Sequence, residues 1–193
     1  MNNNKKSNVA IVEFKSVSRG IFVTDGMIKS ARVNGVFAGT LCPGRYLTIV
    51  EGEVSAVESA LETADKLGGR HVISSLIVSG INLKVIEAIG GDTVSAPSGS
   101  IGIIEGMQMA NLISSADVCV DSADVEFADF RLAQGCGANS FYIMTGTLSS
   151  VNEAVKNAAG FLKKYGTLEA YKIIPNPDGQ VWKWLRTSFS KCS

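Results

Sequence analysis

Short apolar runs alternate with amphipathic stretches along this chain, and the alternation occurs twice. Val9-Ala10-Ile11-Val12-Glu13 is an apolar run closing on glutamate, and Ile101-Gly102-Ile103-Ile104-Glu105 is another. Each has the length and β-branched character of a buried strand. After the first run, Val17, Ile21, Ile28 and Ala31 fall at helical spacing and predict an apolar stripe on one helix. Val36-Phe37-Ala38 and Tyr46-Leu47-Thr48-Ile49-Val50 then read as neighbouring strands, with Leu41-Cys42-Pro43-Gly44-Arg45 between them. Val54, Val57, Ala60, Leu61 and Ala64 recur at the three-and-four spacing of a second amphipathic helix.

The second half repeats the first at nearly constant offset. Thr24-Asp25 falls on Ala116-Asp117, and Ser30-Ala31-Arg32-Val33 on Ser122-Ala123-Asp124-Val125. After an insertion of two residues, Leu47-Thr48-Ile49-Val50-Glu51-Gly52 answers Phe141-Tyr142-Ile143-Met144-Thr145-Gly146. Leu148, Val151, Ala154, Val155 and Ala158 then reproduce the second helix. The glycine- and serine-rich stretch 90–100 reads as the linker between the halves. The expected organisation is two domains of one kind, residues 8–91 and 100–188. Each is predicted to run strand, helix, two strands, helix, strand, short helix, an α+β sandwich of the ferredoxin-like kind.

Composition narrows the chemistry. The 18 basic and 18 acidic residues cancel, so bulk charge implies neither nucleic acid nor an anionic membrane as partner. No apolar run is long enough to span a bilayer, and the opening residues lack the apolar core of a secretory signal; a cytoplasmic protein is expected. His71 is the single histidine, which leaves little room for repeated nucleophile–base couples. Glu13 and Glu105 lie at matched strand ends without a partner base and read as structural, so no enzyme is expected. Cys42, Cys119, Cys136 and Cys192 lack the C-x-x-C pairing of a metal ribbon, and within one chain suggest no metal site. Cys119, inside a predicted helix, reads as core. Lys163-Lys164-Tyr165 reads as the polar end of a helix, and Trp182 and Trp184 as anchors of the closing one.

The twofold repeat, with Asp25-Gly26-Met27-Ile28-Lys29-Ser30-Ala31 in the first helix, resembles the bacterial microcompartment (BMC) shell domain over nearly the whole chain. The resemblance implies two tandem BMC domains forming a pseudohexameric trimer, tiled with other shell proteins in a microcompartment shell. The loop Thr40-Leu41-Cys42-Pro43-Gly44 is similar to that of tandem shell proteins that bind a [4Fe-4S] cluster at their centre. It implies a pore lined by Leu41, Pro43 and Gly44, with Gly135, Cys136, Gly137 and Ala138 as the equivalent loop of the second half. Lys29 matches a lysine at the tile edge, and its counterpart is Asp121. Where such proteins carry an arginine after the last strand, this chain has Ile174-Pro175-Asn176-Pro177.

Threefold symmetry would bring Cys42 from each of three chains to one axis, supplying three thiolates for one [4Fe-4S] cluster per trimer. The fourth iron has no assigned ligand, and Cys136 no assigned role. The expected use is electron transfer across the shell, to a redox enzyme inside, or delivery of the cluster. A cluster-free trimer acting as a gated metabolite pore, and a soluble trimeric ligand-binding sensor, are the alternatives.

Overall fold

A computed structural model of the chain describes residues 5–41, 44–94, 98–132 and 140–189. They form two compact units, the first made of the residues up to Gly90 together with Leu132, the second of Gly91–Arg131 and the segment from Ser140 onward.

In the first unit the order is β1 (Lys6–Phe14), α1 (Val17–Ser30), β2 (Asn34–Leu41), β3 (Arg45–Gly52), α2 (Val54–Gly68), β4 (Val72–Asn82) and α3 (Leu83–Ile89). The second runs β5 (Ser100–Gly106), α4 (Met109–Ser122), β6 (Glu126–Arg131), β7 (Ser140–Gly146), α5 (Leu148–Lys164), β8 (Leu168–Ile174) and α6 (Gly179–Phe189). Each unit holds one antiparallel four-stranded sheet, in the orders β2-β3-β1-β4 and β6-β7-β5-β8. With βαββαβ connectivity this is the ferredoxin-like arrangement expected from the repeat.

The repeat extends to register. Ala10 pairs with Val50 and Gly102 with Met144; Val12 pairs with Thr48 and Ile104 with Tyr142. Both hairpins carry a β-bulge at the same place, between Gly35 and Phe37 in β2 and between Phe127 and Asp129 in β6. A bulge adds one residue and bends the strand, so its recurrence marks a shared curvature of the hairpins.

Alternation along β1 sends Ala10, Val12 and Phe14 into a core with Val23 and Met27 of α1 and Val57, Ala60 and Ala64 of α2. Ser16 caps α1, its side chain accepting from the Arg19 amide, and Thr147 caps α5 through the Ser150 amide. In the second unit Val151, Ala154, Val155 and Ala158 are all buried, as the periodicity of α5 predicts. On the opposite sheet face, Trp182 of α6 packs on Ile101 and Ile143; the side chain of Trp184 lies outside the described residues.

Some stripe positions fail: Val54 of α2 and Leu148 of α5, which open their helices, are exposed, and the stripe on α1 is displaced. The buried face of α1 is Gly20, Val23 and Met27, whereas Ile21 and Ile28 of the predicted stripe are exposed. Both sets fall at helical spacing, and close packing decides between them. A Cβ at Gly20 would stand 2.4 Å from Cδ1 of Tyr46, so α1 approaches β3 through a residue that has no side chain.

Candidate functional site

The hairpin between β2 and β3 carries the loop singled out in the sequence. Thr40 pairs with Tyr46 and Leu41 with Arg45, leaving only Cys42, Pro43 and Gly44 between paired strands. Gly44 has φ 71°, the left-handed value expected at the last position of a three-residue hairpin loop. Cys42 and Pro43 themselves lie outside the described residues. Leu41 closes β2 as a buried residue, 4% exposed.

The root of this hairpin carries an ion pair. Arg45 Nη1 donates to Glu13 Oε1 at 2.7 Å, with side-chain exposures of 45% and 12%. The register explains it. Glu13 faces Leu47 across β1 and β3, and Arg45 lies two residues from Leu47 on the same side, a diagonal neighbour within reach of long side chains. The side is that of Ile11, opposite to the one Ala10 and Val12 present to the helices. No role for Arg45 is legible in the sequence beyond its place in the loop. Opposite charges one hairpin apart at a strand end are the signal that could have found it.

The second hairpin differs. Its last described pair is Arg131 with Phe141, and Gly135, Cys136, Gly137 and Ala138 lie outside the described residues. Beside it, Arg131 Nε donates to both carboxylate oxygens of Asp129, at 3.1 and 3.0 Å. Burial raises the Asp129 carboxyl above its ordinary range, and the Arg131 charge works against that rise.

Away from the hairpins, Lys29 is exposed near the end of α1 and pairs with Asp25 one turn earlier at 2.6 Å. Its counterpart Asp121 is exposed as well. Cys119 is buried and shares a hydrogen bond with the Tyr142 hydroxyl, which places it in the core as expected. Among the described residues no three His, Cys, Asp or Glu side chains converge, and no helix is long and apolar enough to cross a membrane.

Two ferredoxin-like units with matched register define a tandem-domain protein, and the chain belongs to the BMC-domain family of bacterial microcompartment shell proteins. The BMC domain matches residues 8–81 and 100–177. The chain is 32% identical over 177 residues to the bacterial microcompartment shell protein PduT of Citrobacter freundii, covering 92% of this chain and 96% of that protein. Against the carboxysome assembly protein CcmO of Synechocystis identity is 27%, over 88% of this chain and 61% of CcmO.

Among solved structures, a microcompartment protein from Desulfitobacterium hafniense superposes with a TM-score of 0.87 at 29% identity, over 93% of this chain and 99% of that one. A fused permuted hexameric shell protein of the RMM microcompartment shares the fold at TM-score 0.53 and 23% identity, over 82% of this chain and 85% of that one. The family's role is structural, in the microcompartment shell, where it assembles with other shell components.

Proposed function

We propose that the chain is a trimeric tile of the shell that holds one [4Fe-4S] cluster at its threefold axis, a Cys42 thiolate coming from each chain. The observation that carries this reading is the β2–β3 hairpin. With Leu41 and Arg45 paired, Cys42 follows directly on the end of a paired strand, and Gly44 supplies the left-handed turn. Among the described residues, its chain neighbours aside, a Cβ at Gly44 would meet nothing within 4 Å. Cysteine thiolate is the ligand iron–sulfur clusters take, and rotation about an axis multiplies one ligand into three.

When bound, such a cluster supplies one-electron transfer, here from one face of the shell to the other and to a redox enzyme inside; cluster delivery is the other use. The trimer itself draws support from a bare helix face. Ile21 of α1 is 54% exposed, but its repeat mate Ile113 in α4 is 0% exposed. A face covered in one repeat and open in the other is a surface that further copies of the chain would cover.

The test is anaerobic reconstitution of the wild type and of Cys42→Ser, with iron, sulfide and visible absorption measured. The wild type is expected to turn brown, with broad absorption near 400 nm, an order of position typical of such clusters, and the variant to remain colourless. An iron-free wild-type trimer, or a variant that keeps its iron, defeats the reading. The iron-free outcome would leave a cluster-free tile acting as a gated metabolite pore, with Gly39, Gly44, Gly135 and Gly137 serving its loops.

A further inference from the structure

We propose that the first unit binds a small, neutral aromatic alcohol, of which phenol is the simplest, in a cleft between α1 and the β2–β3 edge of its sheet. The inference goes beyond the cluster reading and does not depend on it.

The cleft has a volume of about 210 Å³ and opens to the surface. Thr24 and Ile28 of α1, Gly35 and Ala38 of β2, and Thr48 and Val50 of β3 line it, and no described residue of its lining is charged. A cavity of about 150 Å³ holds one benzene ring, so this volume takes a ring with a small substituent.

The repeat explains why the space exists. Gly35 pairs with Val50 and Ala38 with Thr48, and the bulge between Gly35 and Phe37 sets both on one face of β2. That face is the one on which Val50 packs with Ala10 and Val12 under the helices. The same register positions in the second unit hold Phe127, opposite Met144, and Phe130, opposite Tyr142. There the three rings pack together, with centroids 5.8 Å apart for Phe127 and Phe130, 5.6 Å for Phe127 and Tyr142, and 5.3 Å for Phe130 and Tyr142. All three are buried.

The first unit has glycine, alanine and threonine in their places. Among the described residues, its chain neighbours aside, a Cβ at Gly35 would meet only Ile28 Cδ1, at 3.8 Å. Room that one copy fills with packed rings is open in the other, and a flat aromatic ring is the shape that fits it.

A pair of hydroxyls sets the polarity. Thr24 Oγ1 donates to the Gly20 carbonyl at 2.8 Å, and a hydroxyl has one proton to give. In the 2.5 Å contact between the Thr24 and Thr48 hydroxyls, Thr48 is therefore the donor. Both protons are spent, and these side chains retain only lone pairs. A polar group that approaches them must donate, as an O–H does. A carboxylate or phosphate meets lone pairs with no cation in the lining, and an ether or ketone finds no donor.

The experiment titrates the full-length protein with phenol and with toluene, which has the same shape without the O–H. It follows side-chain methyl signals by NMR and the state of association by sedimentation. Phenol is expected to shift the Ile28 and Val50 methyls and to leave their repeat mates Val120 and Met144 unmoved. It is expected to bind about three- to tenfold more tightly than toluene, the gain of one hydrogen bond. Ala38→Phe, which copies the second unit, is expected to stay folded by its melting temperature and to lose both ligands. In T24V/T48V the preference for phenol disappears while toluene still binds.

The methyl map of the wild type locates the site without any variant, so a variant that fails to fold leaves the test intact. Phenol that shifts no methyl of the lining overturns the proposal, as does undiminished binding to folded Ala38→Phe. Equal affinity for phenol and toluene in the wild type overturns it too. Ile28 lies on the α1 face that further copies of the chain would cover. Binding confined to dissociated chains would therefore mean that a neighbouring copy fills the cleft, and would sink the idea.

Discussion

Gly102 and Met144 face each other across β5 and β7 at the register position that Ala10 and Val50 hold across β1 and β3. One repeat places the larger share of the volume on the third strand, and the other divides it more evenly. A Cβ at Gly102 would stand 2.9 Å from Met144 Cγ, 2.8 Å from Val155 Cγ2 and 2.9 Å from Val151 Cγ1. Gly102→Ala is therefore expected to cost about 1–3 kcal/mol through overpacking. Adding Met144→Val, which restores the first repeat's pair and removes one of the three contacts, is expected to return part of that loss, a non-additivity that a double-mutant cycle in urea measures. Additive costs would show that the two positions do not share one space.

A second exchange of the same kind lies next to it. Thr48 and Met27 of the first unit correspond to Tyr142 and Cys119 of the second, where the tyrosine hydroxyl lies 3.0 Å from Ser115 Oγ and 3.3 Å from Cys119 Sγ. Burial pushes the Cys119 thiol up to about 12, the hydrogen bond with Tyr142 opposing the rise. Burial likewise raises the Tyr142 hydroxyl well above its ordinary range, with Cys119 adding to it. In the unfolded chain both groups ionise earlier, so that state binds fewer protons between about pH 9 and 12 and stability falls as pH rises through that window. Urea midpoints at pH 8 and pH 10.5 should show the decline, and Cys119→Ala should reduce it. Alkylation at pH 8 is expected to reach Cys119 only after denaturant is added.

What the sequence made legible follows from what repeats and what does not. The strands of both units could be placed because matched runs such as Val9–Glu13 and Ile101–Glu105 carry a period that burial imposes directly. The buried face of α1 could not. Ile21 and Ile28 compete with Gly20, Val23 and Met27 at equivalent spacing, and the winner is chosen by the ring of Tyr46, a neighbour distant in the chain. The Glu13–Arg45 pair was hidden for a similar reason, since it needs the register of two strands before the two charges become neighbours. Cys42 was conspicuous as part of Cys-Pro-Gly, but the partners proposed for it belong to other copies of the chain.

The misplaced stripe on α1 leads to a test of assembly. Ile21, Phe22 and Ile28 are exposed on the first unit, while Ile113, the repeat mate of Ile21, is fully buried. Glutamate at both Ile21 and Ile28 is expected to leave folding stability within about 0.5 kcal/mol, as for other surface changes, and to convert the proposed trimer to monomer in sedimentation analysis. Ile113→Ala, by contrast, is expected to cost about 2–5 kcal/mol as a core truncation. A double glutamate variant that sediments with the wild type would remove this face from the assembly.

Gly44 offers a way to disturb the hairpin without touching the proposed ligand. Its φ of 71° is a conformation that L side chains adopt at a cost, and among the described residues, its chain neighbours aside, none comes within 4 Å of where its Cβ would be. The penalty for Gly44→Ala is thus one of backbone conformation alone, about 1–2 kcal/mol, and asparagine, which tolerates left-handed backbone, should cost less. For a chain of this size that loss lowers the melting temperature by roughly 2–8 °C, provided the hairpin stays paired. If it relaxes instead, the chain keeps its stability and the turn changes shape. The two outcomes differ in iron uptake under the cluster reading. A strained but intact turn keeps the iron at reduced stability, whereas a relaxed turn loses iron without loss of stability, with Gly44→Asn intermediate in either case. Gly44→Ala with unchanged melting temperature and unchanged iron would show that the left-handed turn at the hairpin tip matters to neither.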